Sequence, residues 1–163
     1  MGFLEWLQTT RVATTVAETL WGYPTFETIH TMGMALLIGS LGLINLRVLG
    51  FKPELKIFDT RALLPLAWIG FTLNAISGSV LFVSDAVKFA DCSTFLLKMV
   101  LIALGGINAA LLSHKIFHEP APGAAAVVPS IGMKWIAGTS LVFWFGAIIC
   151  GRLIAYTPSC MSL

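Results

Sequence analysis

The stretch YPTFETIHTMGMALLIG, running from Tyr23 to Gly39, decides the fold. Its second half is apolar, and the apolar character continues to Leu46. A bilayer-spanning helix needs about 20 mostly apolar residues. Glu27 and His30 stand one helical turn apart at the mouth of this run, on one helix face. Polar groups at that depth are costly against lipid, so each needs a partner or a task.

The rest of the chain extends the pattern. Of 163 residues, 57% are hydrophobic and 11% charged, and the mean hydropathy is +0.88. A soluble domain carries about 25% charged residues. The composition therefore predicts an integral membrane protein, an all-α four-helix bundle with spans at about 26–46, 63–84, 95–112 and 135–156, and a tail at 158–163. Breaks are expected at Gly50 and Pro53, across Asp85 to Asp91, and at the HEPAPG stretch beginning with His118. The third span contains Gly105 and Gly106.

Residues 1–22 read as a separate piece. Phe3, Trp6, Leu7, Ala13, Ala17, Leu20 and Trp21 recur at roughly helical spacing among Arg11, Thr14, Thr15 and Glu18. This predicts a short amphipathic helix lying at the membrane surface, with Gly22 and Pro24 turning the chain into the first span. The first charge is Glu5 rather than a basic cluster, so the start of the chain does not read as a cleaved signal peptide.

Basic residues set orientation. Arg47, Lys52, Lys56, Arg61, Lys115 and Lys134 fall on one side, and Arg11, Lys88, Lys98 and Arg152 on the other. The bias places both termini in the periplasm of a bacterial inner membrane. A net charge of +2, scattered around apolar runs, excludes nucleic acid and leaves the lipid bilayer as the partner of those charges. A P-loop, a nucleophile elbow and an H-E-x-x-H motif are all missing, which argues against hydrolase and nucleotide chemistry.

The intramembrane polar residues are the candidate site. Glu27, His30, Asp85, Lys98 and Arg152 are expected at one level near the periplasmic face. An arginine cannot shed its charge there, so Arg152 is expected to pair with Glu27 or Asp85 and fasten the helix ends. His30 then joins that cluster by hydrogen bonding. On the competing reading His30 binds haem b, with Met99 as the methionine placed to face it and Arg152 nearby. A single E-x-x-H pair does not make a di-iron centre, which takes two such pairs and two further glutamates. His114 and His118, at i and i+4, form a weak metal-binding pair toward the other face. Cys92 and Cys160 would both face an oxidising compartment, where a disulfide and two free thiols are alternatives. Cys150 reads as a small packing residue. The echo between GLIN at 42–45 and GGIN at 105–108 is read as coincidence.

The runs LWGYPTFETIHTMGMALLIGSLGLINLRVLGF, PLAWIGFTLNAISGSVLFVSDAVKF, LLKMVLIALGGINAALLSH and GRLIAY resemble a family of bacterial four-span inner-membrane proteins of unknown function. Glu27, His30, Arg47, Asp85, Lys98, Asn108, His114 and Arg152 carry the resemblance. It implies a four-helix inner-membrane protein and no particular activity. Where that family often has an acidic residue before a Leu-Arg pair, this chain has Asn45. A looser likeness, of architecture alone, is to four-helix haem-b and copper-resistance membrane proteins.

Three functions follow as expectations. The first is a non-enzymatic accessory or anchoring subunit of a larger membrane complex, with membrane-protein partners or further copies of itself. The second is a redox protein holding haem b or quinone at His30. The third is a carrier of small solutes or metal ions.

Overall fold

The computed structural model describes residues 2–51, 53–54, 57–117 and 129–160. The fold is all-α. Two short helices, α1 (Phe3–Gln8) and α2 (Arg11–Glu18), precede α3 (Gly22–Leu49), α4 (Leu64–Ser84), α5 (Ala86–Asp91), α6 (Ser93–Phe117) and α7 (Ile131–Leu153). Short 3-10 segments cover Ile57–Leu63, Ile154–Tyr156 and Pro158–Cys160. Four segments, Gly22–Leu49, Asp59–Ser84, Ser93–Ile116 and Ile131–Tyr156, are long and apolar enough to cross a membrane.

The local differences from the sequence expectations have simple causes. Gly22 and Pro24 do not turn the chain; they lie in the first turn of α3. A proline is tolerated there because the first amides of a helix have no intrahelical acceptor. The stretch expected as a break after the second span contains α5. The N-terminal piece is two helices rather than one. The break falls at Thr9–Thr10, where Thr10 Oγ1 caps α2 by accepting from the Ala13 amide at 3.4 Å. Gly50 ends α3 at φ 108°, a left-handed conformation that suits glycine, and the Phe51 amide closes onto the Leu46 carbonyl at 2.9 Å.

The four long helices form a bundle of two hairpins. α3 packs along α4, α6 packs along α7, and α3 packs on α7 to join them. Helices α1, α2 and α5 and the C-terminal 3-10 turns gather at one end, called here the terminal end. The other end, with the α3–α4 and α6–α7 connections, is the connection end. Buried Ala13 and Val16 turn one face of α2 onto α3 and α4, while Phe3, Trp6, Leu20 and Trp21 stay exposed. The segment is thus amphipathic, with small apolar side chains on the bundle and aromatic rings on the outside.

The core lies toward the connection end. Ile44, Val48, Ile57, Leu64, Leu112, Ile116 and Ala137 are buried together. Elsewhere the long helices expose large apolar side chains, among them Ile69, Ile76, Leu97, Val100, Ile107, Val142 and Ile149. Apolar residues facing outward on every long helix are the mark of a lipid-facing surface.

Candidate functional site

Between hydrocarbon-facing helices, apolar burial gives little preference for protein over lipid. Close packing and hydrogen bonds hold the helices together instead. In this bundle one asparagine serves each of the three main seams. Asn74 joins α4 to α3 by donating to the His30 carbonyl at 2.9 Å. Asn45 joins α3 to α7 by donating to Ser140 Oγ at 3.1 Å. Asn108 joins α6 to α7 by donating to Thr139 Oγ1 at 2.9 Å.

The α3–α4 seam is the closest. A Cβ on Gly70 would stand 2.5 Å from the Leu37 amide nitrogen and 2.8 Å from the Gly33 carbonyl oxygen. A Cβ on Gly33 would stand 2.9 Å from the Asn74 nitrogen. Only glycine permits that approach. One end of this contact receives the His30 ring, whose Cε1 lies 2.9 Å from the point a Cβ of Gly78 would occupy.

His30 Nδ1 lies 3.1 Å from the Asn74 carbonyl oxygen and 3.1 Å from Ser77 Oγ. The Ser77 hydroxyl donates to the Leu73 carbonyl at 2.6 Å, so its proton is committed. The proton of the His30 contact therefore sits on Nδ1, which donates to the Asn74 carbonyl and to Ser77 Oγ. In the neutral ring Nε2 is then the nitrogen with the lone pair. This is the arrangement by which proteins orient a ligand histidine: one ring N–H fixed on a backbone carbonyl, the other nitrogen turned to its task.

Lys98 is half-buried, one to two turns inside α6. Its side chain lies along α7, with Nζ 3.5 Å from the point a Cβ of Gly151 would take. Among the described residues Lys98 makes no ion pair, and no hydrogen bond from its ammonium is found. Three phenylalanine rings cluster near this terminal end: Phe82 and Phe95 have centroids 5.5 Å apart, and Phe89 lies 5.3 Å from Phe95.

The structure brings some of the predicted residues together and keeps others apart. Arg152 does not reach Glu27 or Asp85; both Arg152 and Glu27 are exposed, without an ion-pair partner among the described residues. Asp85 turns instead to Lys88, with its Oδ2 3.7 Å from Nζ, and accepts from Gln8 Nε2 at 3.3 Å. Met99, at 46% exposure, faces out of the bundle rather than toward His30. Equal depth did not give equal facing, because each residue turns a helix by about 100°.

His114 is exposed on the last turn of α6, and His118 lies outside the described residues. Among the described residues no group of three or more His, Cys, Asp or Glu is placed to hold a metal ion. Cys92 and Cys160 form a disulfide, with Cα atoms 4.7 Å apart, tying the start of α6 to the C-terminal turns. Cys150 is free and buried.

Sequence reasoning passed over Ser77, Thr139 and Ser140, the acceptors that complete the seams. Serine and threonine in a span usually bond back to their own helix and so carry no signal of their own. The usable signal was the spacing Gly70, Asn74, Ser77, Gly78, which puts small and polar residues on one face of α4.

Comparison of the chain with protein-family models, with curated proteins and with solved structures found no match.

Proposed function

We propose that this chain is a non-enzymatic accessory or anchoring subunit of a larger complex in a bacterial inner membrane, with both termini in the periplasm. The observation that carries the reading is Lys98. It is a half-buried cation one to two turns inside α6, with no counter-charge among the described residues. An unpaired charge there is costly. Glu27 on α3 and Arg152 on α7 stand exposed at the same end. A partner helix carrying a carboxylate to Lys98 and opposite charges to Glu27 and Arg152 would satisfy all three. Little of the described chain lies outside the bundle, which suits an anchor better than a catalyst. The disulfide supports the orientation, because disulfides persist in the periplasm and not in the cytosol. The resemblance to bacterial four-span inner-membrane proteins supports the compartment.

The test is extraction from native membranes in mild detergent, followed by native mass spectrometry. A complex of fixed stoichiometry is expected, and Lys98→Gln is expected to weaken it at least tenfold while the isolated chain stays folded. A chain that runs alone, with or without Lys98, would overturn the reading.

One observation favours a second reading, a redox protein with haem b at His30. The Nδ1–H of His30 is held by the Asn74 carbonyl, as in many ligand histidines. On this reading Met99 is not the second ligand, since it faces outward. The purified protein would then show a Soret band that is lost in His30→Ala and kept in Met99→Leu. A colourless protein, isolated with its native lipids, rules this out.

A further inference from the structure

The segment before the first span is packed against the bundle yet keeps its aromatic side chains outside. Ala13 and Val16 are buried and fix α2 on α3 and α4. The turn into α3 leaves no slack: a Cβ on Gly22 would stand 2.6 Å from the Val16 carbonyl oxygen. Gln8 Nε2, at the end of α1, is bonded to Asp85 Oδ1 at the end of α4. On this frame Phe3, Trp6, Leu20 and Trp21 are between 54% and 84% exposed. Arg11, Thr15 and Glu18 share the outside of α2. An outer side that mixes indole rings with charges suits neither bare hydrocarbon nor a dry protein interface. It suits the layer where headgroups meet acyl chains.

The depth of that layer is set by α7. Trp135 and Tyr156, 71% and 72% exposed, stand near the two ends of the span Ile131–Tyr156. Counting about 1.5 Å per α-helical residue and about 2.0 Å per 3-10 residue, they are about 33 Å apart. A hydrocarbon core is about 30 Å thick, and Trp and Tyr concentrate at its two boundaries. The hydrogen bond from Asn45 to Ser140 sets α3 and α7 at one level. From that level Tyr156 stands about 25 Å toward the terminal end, and Gly22 about 34 Å. The start of α3, and the end of α2 joined to it, therefore lie about 9 Å beyond the boundary that Tyr156 marks. That is headgroup level, outside the hydrocarbon and next to it.

We propose that α1 and α2 form an interfacial float. Phe3, Trp6, Leu20 and Trp21 sink into the headgroup layer of the terminal-end leaflet, while Ala13 and Val16 hold the segment to the α3–α4 hairpin. The partner of this surface is the lipid of the protein's own bilayer. The float fixes how deep α3 and α4 sit, because it is packed on them and cannot rise or sink without them. The proposal stands whether or not the chain is an accessory subunit, since this surface needs no protein partner.

The test uses the full chain, one per phosphatidylcholine nanodisc, in variants that keep only Trp6, Trp21 or Trp144 and carry phenylalanine at the other four tryptophan positions. Bromine on the lipid acyl chains quenches indole fluorescence on contact. Trp6 and Trp21 are expected to be quenched about twofold by bromine near the ester carbonyls, and far less by bromine at mid-chain or by aqueous iodide. Buried Trp144 is the control and is expected to respond least to all three. Because Trp144→Phe disturbs the core, the unaltered chain is tested as well. A photoactivatable group on the lipid headgroup is expected to label peptides from residues 2–21, read by mass spectrometry. Iodide quenching as strong as for free tryptophan would place the rings in water. Stronger quenching at mid-chain would place them in hydrocarbon, and indifference to lipid and iodide alike would show protein over them. Each of these, or headgroup label missing from residues 2–21, would overturn the proposal.

Discussion

Asn45 and Asn108 bond to consecutive residues of α7: Asn45 reaches Ser140 from α3 at 3.1 Å, and Asn108 reaches Thr139 from α6 at 2.9 Å. α7 is thus gripped from two helices at one height. The repeat between GLIN at 42–45 and GGIN at 105–108, read from sequence as coincidence, has a structural counterpart. Each copy carries an asparagine to the same turn of α7.

The grip should be measurable as coupling. In double-mutant cycles pairing Asn45→Ala with Ser140→Ala, and Asn108→Ala with Thr139→Val, each pair is expected to show a coupling of about 0.6–2 kcal/mol. Unfolding in mixed detergent micelles gives the values. Across the two pairs, the cycle of Asn45→Ala with Thr139→Val should be close to additive.

The glycines of the α3–α4 seam should separate sharply from those elsewhere. Gly70→Ala puts a methyl group 2.5 Å from a backbone nitrogen and is expected to destabilise by about 1–3 kcal/mol or more. Gly39→Ala, with nothing within 4 Å, is expected to be neutral or slightly stabilising, since alanine is the better helix former. Thermal unfolding of the two variants side by side is the comparison to make.

His30 should matter to stability whatever else it does. His30→Ala removes the Nδ1 contact to Asn74 and Ser77 and opens space over Gly78, and a loss of about 1–3 kcal/mol is expected. Combined with Ser77→Ala the two losses should be less than additive, because both variants break the same bond.

The disulfide gives a test of topology that needs no structure determination. With both termini in the periplasm, a cysteine placed at exposed Asp91 in the Cys92→Ser, Cys160→Ser background should react with a membrane-impermeant maleimide in cells with a permeabilised outer membrane, while buried Cys150 stays unlabelled. The Cys92→Ser, Cys160→Ser double variant is expected to lose about 2–4 kcal/mol. Labelling that appears only after the inner membrane is lysed would invert the orientation.

The fold was largely legible because hydropathy alone betrays a span, and α3, α4, α6 and α7 overlie the four apolar runs. The seams were less legible. Glycine occurs on every span, and nothing in the sequence tells Gly70, wedged against backbone, from Gly42, facing open space. The candidate site was half legible. Depth along a helix can be counted, so Lys98, Arg152, Glu27 and His30 were grouped at one level. Facing cannot be counted without the rotation of each helix against its neighbours. That is why Arg152 and Glu27, matched in height, face outward, while His30 turns to α4 and finds a serine and a backbone carbonyl.

The seams also differ in what they resist. An interhelical hydrogen bond fixes both height and rotation, so α3–α4, α3–α7 and α6–α7, each with its asparagine, are locked in register. The remaining edge, α4 against α6, carries the Phe82–Phe95 ring contact near one end, and near the other Arg61, just before α4, bonds to the Ile116 carbonyl at 2.9 Å. Between them Trp68 and Phe71 stand across a narrow void from Gly106 and Ala109. The α3–α7 line is therefore the common spine of the two hairpins, and the opposite edge is fastened near its ends and left loosely filled between them.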